Sequence, residues 1–105
     1  MSLKKLTERT KKITKKFPRK FQWKAKERFI SLVEEVGELA NALLVREKNK
    51  PKKTLFKNNS VLDALCDILF DLLVLADVYG IDLEKEYPKM LKRLEARIRR
   101  GEFEE

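Results

Sequence analysis

A helical repeat runs through almost the whole chain. The 105 residues include only three glycines and three prolines, the residues that most often interrupt helices. In the first segment a mostly apolar stripe stops before Pro18, because proline disfavours helical backbone in the residue that precedes it. That stripe consists of Leu3, Leu6, Thr10, Ile13 and Phe17. The pattern predicts an all-α fold, a bundle of four helices, in one domain over residues 1–105 with a basic arm over residues 1–22.

Three further helices are predicted from where the periodicity starts and stops. The second spans about residues 24–48 and is followed by a polar loop over residues 49–53. The third spans residues 61–79, and the two helices should pack antiparallel. The fourth starts near Asp82, with a kink or a late start caused by Pro88. Its apolar stripe, which should face the core, consists of Leu83, Tyr87, Met90, Leu91, Leu94 and Ile98.

The third helix is apolar nearly all round, which is typical of a central, buried helix. Ser60, followed three residues later by Asp63, is placed to cap its start, and Gly80 suits its end. The single Cys66 should be a small buried hydrophobe in a reducing compartment. So small a bundle leaves part of an apolar helix uncovered, so we expect a homodimer or homotetramer. The alternative is a monomer that wraps the helix fully.

Three carboxylates interrupt the apolar pattern of the second helix. Around the helix axis Glu38 lies roughly 40° from Glu34 and roughly 60° from Glu35, a spacing at which like charges repel. A divalent cation among them would relieve the repulsion, since hard cations take oxygen ligands. The alternative is a solvated acidic face.

The third helix carries acids on one stripe, because Asp63, Asp67 and Asp71 recur every four residues. Antiparallel packing would bring Asp67 opposite Glu35 and Glu38, forming a carboxylate cage for Mg²⁺ or Mn²⁺. The alternative is that a Lys or Arg of the fourth helix pairs with these acids.

Composition excludes several kinds of site. The chain has no histidine, so imidazole acid–base chemistry and histidine metal sites are excluded. No apolar run approaches the roughly 20 residues that span a bilayer, and we expect a cytoplasmic protein. The high charge is also typical of thermophiles.

The N-terminal quarter is strongly basic. Residues 1–28 hold twelve Lys and Arg against two Glu, a charge that attracts polyanions. Nucleic-acid binding is therefore an alternative function, with Phe17, Phe21 and Trp23 as stacking groups. These aromatic residues would otherwise pack on the core.

The sequence resembles the MazG-like nucleoside triphosphate pyrophosphohydrolases over about residues 23–103. The segment 32–40, with its Glu pair and a third Glu three residues on, is similar to the first motif of that family. Segments 67–73 and 75–83 are similar to its second half. The resemblance implies Mg²⁺-dependent hydrolysis of nucleoside or deoxynucleoside triphosphates to a monophosphate and pyrophosphate.

The resemblance also implies roles for individual residues. Glu35, Glu38 and Asp67 would be metal ligands, and Glu34 would support the site or orient the attacking water. The implied substrate-binding residues are Asp77, Lys89, Lys92 and Arg93.

One departure concerns the second motif, Glu-x-x-Asp in the family. Ala64 stands where its Glu is expected, three residues before Asp67. Our hypothesis is that Asp71, one turn further along, replaces it, so that the metal site is Glu35, Glu38, Asp67 and Asp71. The alternative is a depleted site in a nucleotide-binding protein with weak or no activity.

Overall fold

A computed structural model of the chain describes residues 2–46 and 60–104. It contains four α-helices: α1 (Leu3–Lys15), α2 (Ala25–Arg46), α3 (Val61–Val78) and α4 (Leu83–Arg99). A short 3₁₀ turn, Arg19–Phe21, lies between α1 and α2. No strand occurs in the described segments, so the all-α prediction is confirmed. The predicted polar loop, residues 49–53, lies outside the described residues.

Side-chain caps set the starts of three helices. The Ser60 hydroxyl accepts a hydrogen bond from the Asp63 backbone N–H at 2.9 Å, as the sequence predicted. Ser2 caps α1 and Asp82 caps α4 in the same way. α4 therefore begins directly after Asp82 and continues through Pro88, so the late start does not occur. Gly80 follows α3 with a φ of 65°, a backbone conformation that favours glycine.

Helices α2 and α3 form the main packed pair, and α1 lies across α3 and α4. Arg28 contacts Asp71 near the start of α2, whereas Glu35 lies beside Asp67 further along. The pairing order shows that the two helices run antiparallel. The apolar core is small and consists of Ala42, Ala64, Leu73, Val74 and Ala76.

The connector and α1 close one side of this pair. Phe17 packs against Phe70 with ring centroids 6.1 Å apart. Lys11 forms an ion pair with Asp77 of α3 at 3.5 Å. The Lys4 backbone N–H donates to Glu84 of α4 at 3.1 Å. The basic arm is thereby part of the folded unit.

Several residues expected in the core are exposed in the single chain. Cys66 is exposed, although Leu73, two turns further along the same side of α3, is buried. Leu62 is exposed as well, with an exposed fraction of 71%. In α4, only Leu83 of the predicted stripe is half-buried, since α4 packs mainly on α1. The other members of that stripe are exposed: Tyr87, Met90, Leu91, Leu94 and Ile98.

Within the part of the chain that the structure describes, none of the helices has the length and apolar character needed to span a membrane.

Candidate functional site

Three carboxylates meet where α2 and α3 face each other. Glu35 and Glu38 are on successive turns of α2, and Asp67 comes from the facing side of α3. One oxygen from each side chain lies within 4.8 Å of the others. The two glutamates are half-buried and Asp67 is exposed, so the cluster lies at the edge of the helix pair.

The electrostatics of the cluster centre on Glu35. Its pKa is raised from 4.5 to about 7, first by burial and then by a hydrogen bond that the protonated group shares with Glu38. The charges of Glu38, Asp67 and Asp71 raise this pKa further. Glu35 Oε2 is buried, and no donor among the described residues reaches it. A crowded set of oxygens with a buried acceptor lacking a donor fits a hard divalent cation such as Mg²⁺ or Mn²⁺.

Asp71 lies next to this cluster but is engaged by other groups. Its Oδ1 accepts from Arg28 Nη1 at 2.9 Å, and its Oδ2 accepts from the Ser31 hydroxyl at 3.0 Å. Asp71 and Arg28 are 2% and 4% exposed, so this is a buried ion pair. The basic side chain that pairs with Asp71 of α3 therefore comes from α2, rather than from the fourth helix.

Ala64, where the sequence led us to expect a glutamate, faces the interior. Ala64 is 3% exposed and contributes no oxygen to the cluster. Asp63, its neighbour, is exposed at the helix start.

A cavity of about 310 Å³ adjoins the carboxylates. Glu35, Asp67 and the Arg28–Asp71 pair form its polar part. Its remaining walls are Ser31 and four aromatic residues, Phe17, Phe21, Trp23 and Phe70. The aromatic residues of the basic segment thus turn toward the acidic site.

Arg28 is a site residue that was not predicted from the sequence. Arg28, Ser31, Glu35 and Glu38 follow one another at spacings of three or four residues, which places them on one stripe of α2. That spacing could have predicted the ion pair, because it places Arg28 on the face of α2 that packs against α3, where a buried arginine needs a carboxylate partner.

The other predicted residues lie apart from the carboxylate cluster. Glu34 is exposed and borders a neighbouring hollow together with Trp23. Asp77 lies farther along α3, in its ion pair with Lys11. In α4, Lys89 pairs with Glu86 at 3.5 Å. None of these residues lines the 310 Å³ cavity, and neither do the exposed Lys92 and Arg93.

Comparison with known proteins agrees with this architecture. Residues 3–94 match the family described as phosphoribosyl-ATP pyrophosphohydrolase. The uncharacterized protein YpjD of Bacillus subtilis (strain 168) is 35% identical over 66 residues, which cover 63% of this chain and 60% of YpjD. This chain therefore spans less than two thirds of that relative. The crystal structure of iMazG from Vibrio DAT 722 superposes with a TM-score of 0.61 at 29% identity, covering 89% of this chain and 99% of that one.

Proposed function

Because the chain belongs to the phosphoribosyl-ATP pyrophosphohydrolase family, we propose that it is a divalent-cation-dependent nucleotide pyrophosphohydrolase. The proposed reaction is hydrolysis of a nucleoside or deoxynucleoside triphosphate to a monophosphate and pyrophosphate. The observation that carries this proposal is the meeting of Glu35, Glu38 and Asp67 beside an aromatic cavity. Such a site offers ligands for a cation at one end and walls for a flat base at the other.

In this proposal Glu35, Glu38 and Asp67 hold the cation. Asp71 adds negative charge nearby while its oxygens stay with Arg28 and Ser31. The bound cation would neutralise phosphate charge and supply a water molecule of lowered pKa. Glu34, which is exposed beside this stripe, would orient the attacking water.

The proposed contacts to phosphate need cationic groups from outside the cluster. Lys89, Lys92 and Arg93 of α4 remain our candidates, since phosphates favour such partners. Asp77 remains a candidate for contact with the substrate. If the lysines and arginine bind phosphate, replacing Lys92 and Arg93 by Gln should raise KM more than it lowers kcat.

The test is product analysis with purified protein, Mg²⁺ or Mn²⁺, and each common ribo- and deoxyribonucleoside triphosphate. Phosphoribosyl-ATP is included because the family name gives it as a substrate. We expect equal amounts of monophosphate and pyrophosphate, no diphosphate, and loss of activity in EDTA. Glu38→Gln should lower kcat/KM at least about 100-fold, the upper end of what is lost when a group that only supports a metal site is removed. Glu95→Gln, an exposed substitution on α4, is the matched control.

Failure of every nucleotide to react, with the helical circular-dichroism signal retained, would overturn the enzyme proposal. The chain would then be a nucleotide-binding protein whose site is depleted at Ala64.

A further inference from the structure

Arg28 is a buried cation with two hydrogen-bond donors left over. Nη1 is used by Asp71, but no acceptor within residues 2–46 and 60–104 reaches Nε or Nη2. In a guanidinium group, the Nε–H and one N–H of Nη2 lie side by side on one edge and form a fork. The unused donors are therefore the two members of a single bidentate edge.

Two aromatic rings lie beside the Arg28 guanidinium group. The Arg28 guanidinium carbon lies 4.9 Å from the Trp23 ring centroid and 5.4 Å from that of Phe70. Both rings and Arg28 line the same cavity. Nε and Nη2 are buried, and buried N–H groups without acceptors are destabilising, so a ligand that enters the cavity and brings two acceptors to them would be favoured.

The charges around the cavity decide which kind of ligand this is. Asp71 already neutralises Arg28, so this pair offers no net positive charge to a phosphate group. The phosphates of a nucleotide would be drawn to the cation proposed at Glu35, Glu38 and Asp67, whereas a neutral, flat ring is favoured by the aromatic walls beside Arg28. The ligand at the fork is thus a neutral ring with two adjacent acceptors.

We propose that Arg28 is the base-specificity residue of the site and selects a nucleobase that presents two adjacent hydrogen-bond acceptors. This inference rests on the proposed nucleotide function and deepens it. The O6/N7 edge of a 6-oxopurine is one such pair, and it is the edge that arginine contacts most often in DNA recognition. The O2/N3 edge of cytosine is the other. Adenine offers an acceptor beside an amino donor, and thymine and uracil carry N3–H between their carbonyl groups, so these bases leave the fork unsatisfied.

Substrate analogues test the proposal without altering the protein. We expect kcat/KM for dGTP or dCTP to exceed the values for dATP and dTTP by about 10- to 100-fold, the usual effect of one bidentate base contact. If dGTP is preferred, 7-deaza-dGTP, which lacks the N7 acceptor, should lose this advantage. If dCTP is preferred, its 3-deaza analogue should lose it. Equal values for all four bases would overturn the proposal.

A conservative variant separates selection from a structural role. Arg28→Lys keeps the positive charge opposite Asp71 but removes the fork. Loss of base preference supports the proposal, and an equal fall in kcat/KM for all four nucleotides contradicts it. Arg99→Lys, the same substitution at an exposed position on α4, is the control.

Base binding can also be measured without catalysis, because Trp23 is the single tryptophan of the chain and lines the cavity. Its fluorescence is titrated with dGMP, dCMP, dAMP and dTMP in EDTA. We expect dGMP or dCMP to bind about 10-fold more tightly than the other two, as for one bidentate contact, and Arg28→Lys to abolish the difference. If dGMP or dCMP selectively quenches Trp23 fluorescence but no triphosphate releases pyrophosphate, the enzyme function is rejected and base selection is retained. If pyrophosphate is released but neither assay shows a base preference, base selection is rejected and the enzyme function is retained.

Discussion

At neutral pH and without a cation, the Glu35 carboxyl is close to half protonated, because its pKa is about 7 rather than 4.5. The raised pKa reflects a cost of placing one more negative charge at the edge of the helix pair. A bound divalent cation would remove that cost by taking the place of the proton. If Glu35 binds a cation as proposed, it would link proton binding, cation binding and the stability of the fold.

This linkage predicts how stability depends on pH. Between about pH 4.5 and pH 7 the folded chain holds the Glu35 proton more tightly than the unfolded chain does, so stability falls as pH rises. We expect the contribution of Glu35 to the free energy of unfolding in EDTA to decrease by about 1–3 kcal/mol over this interval and then level off. It is measured as the difference between wild type and Glu35→Gln in urea denaturation at each pH. If the free energies of unfolding of wild type and Glu35→Gln differ by the same amount at every pH, the prediction is contradicted.

Removing the carboxylate of Asp71 should affect stability and Mn²⁺ affinity differently from removing that of Asp67. Asp71→Asn leaves the buried Arg28 charge without its partner, which should lower the free energy of unfolding by about 3 kcal/mol or more. We expect its Mn²⁺ affinity to change less than about threefold, well below the 10-fold change that 1.4 kcal/mol produces. Asp67→Asn, at an exposed position, should cost little stability but weaken Mn²⁺ binding at least about 10-fold. Urea denaturation and Mn²⁺ titration calorimetry measure the two quantities.

A large loss of Mn²⁺ affinity in folded Asp71→Asn would make Asp71 the fourth ligand. Our initial hypothesis from the sequence would then describe the site better than the three-carboxylate proposal.

At the scale of the helix, α1 is both a basic surface and part of the fold. It packs on α3 and α4, and Phe17, which follows it, packs against Phe70. Deleting residues 1–16 would therefore disturb the packing as well as remove charge. Replacing exposed lysines separates the two effects.

We expect the triple substitution of Lys5, Lys12 and Lys16 by Gln to leave pyrophosphate release within about twofold, because surface substitutions outside a site have small effects. Electrostatic binding of single-stranded DNA at low salt should become weaker. The slope of the logarithm of the binding constant against the logarithm of the salt concentration should become shallower by up to about 2, because each phosphate contact on a single strand contributes about 0.7. Filter binding over a salt series measures this slope. If tight binding survives in the variant at physiological salt, the basic surface is not its cause.

Helix boundaries could be predicted from the sequence because they depend on local chemistry. Ser60 and Asp82 each cap a helix start through a hydrogen bond to a backbone N–H three residues on. Such a bond does not depend on which neighbour the helix packs against. The antiparallel pairing of α2 and α3 followed from their order and short connection. The meeting of Glu35, Glu38 and Asp67 followed from that pairing and the spacing of the residues.

The coverage of each apolar stripe was less predictable, because periodicity shows which face is apolar and not which neighbour covers it. α4 packs mainly on α1, so most of its predicted core stripe is exposed, and Cys66 of α3 is exposed as well. The partner of Asp71 was missed for a similar reason. Many cations in this chain could have paired with it, and only the register of α2 against α3 selects Arg28.

At the scale of the whole molecule, much apolar surface is exposed among residues 2–46 and 60–104 of the single chain. On α3, Leu62, Leu65, Leu69 and Leu72 form an exposed stripe on the side away from Asp67. The facing helix α2 adds more exposed apolar residues: Phe29, Ile30, Val33, Val36, Leu43 and Leu44. Monomeric soluble proteins rarely expose contiguous apolar surface on this scale. A homodimer or homotetramer that covers the α3 stripe is therefore our proposal for the state in solution.

The assembly should depend on the α3 stripe and not on the chain's own core. We expect a mass of two or four times 12.4 kDa for the wild type in light scattering coupled to size-exclusion chromatography. Leu65→Lys combined with Leu69→Lys should shift the mass toward 12.4 kDa while the helical signal is retained, since both side chains are exposed in the single chain. Tyr87→Lys, at an exposed position of α4 rather than α3, is the control and should leave the mass unchanged. The melting temperature of the wild type should also rise with protein concentration, because association stabilises the folded chain by mass action. A wild-type mass of 12.4 kDa at the highest soluble concentration would contradict the assembly, and the exposed leucines of α3 would then need another partner.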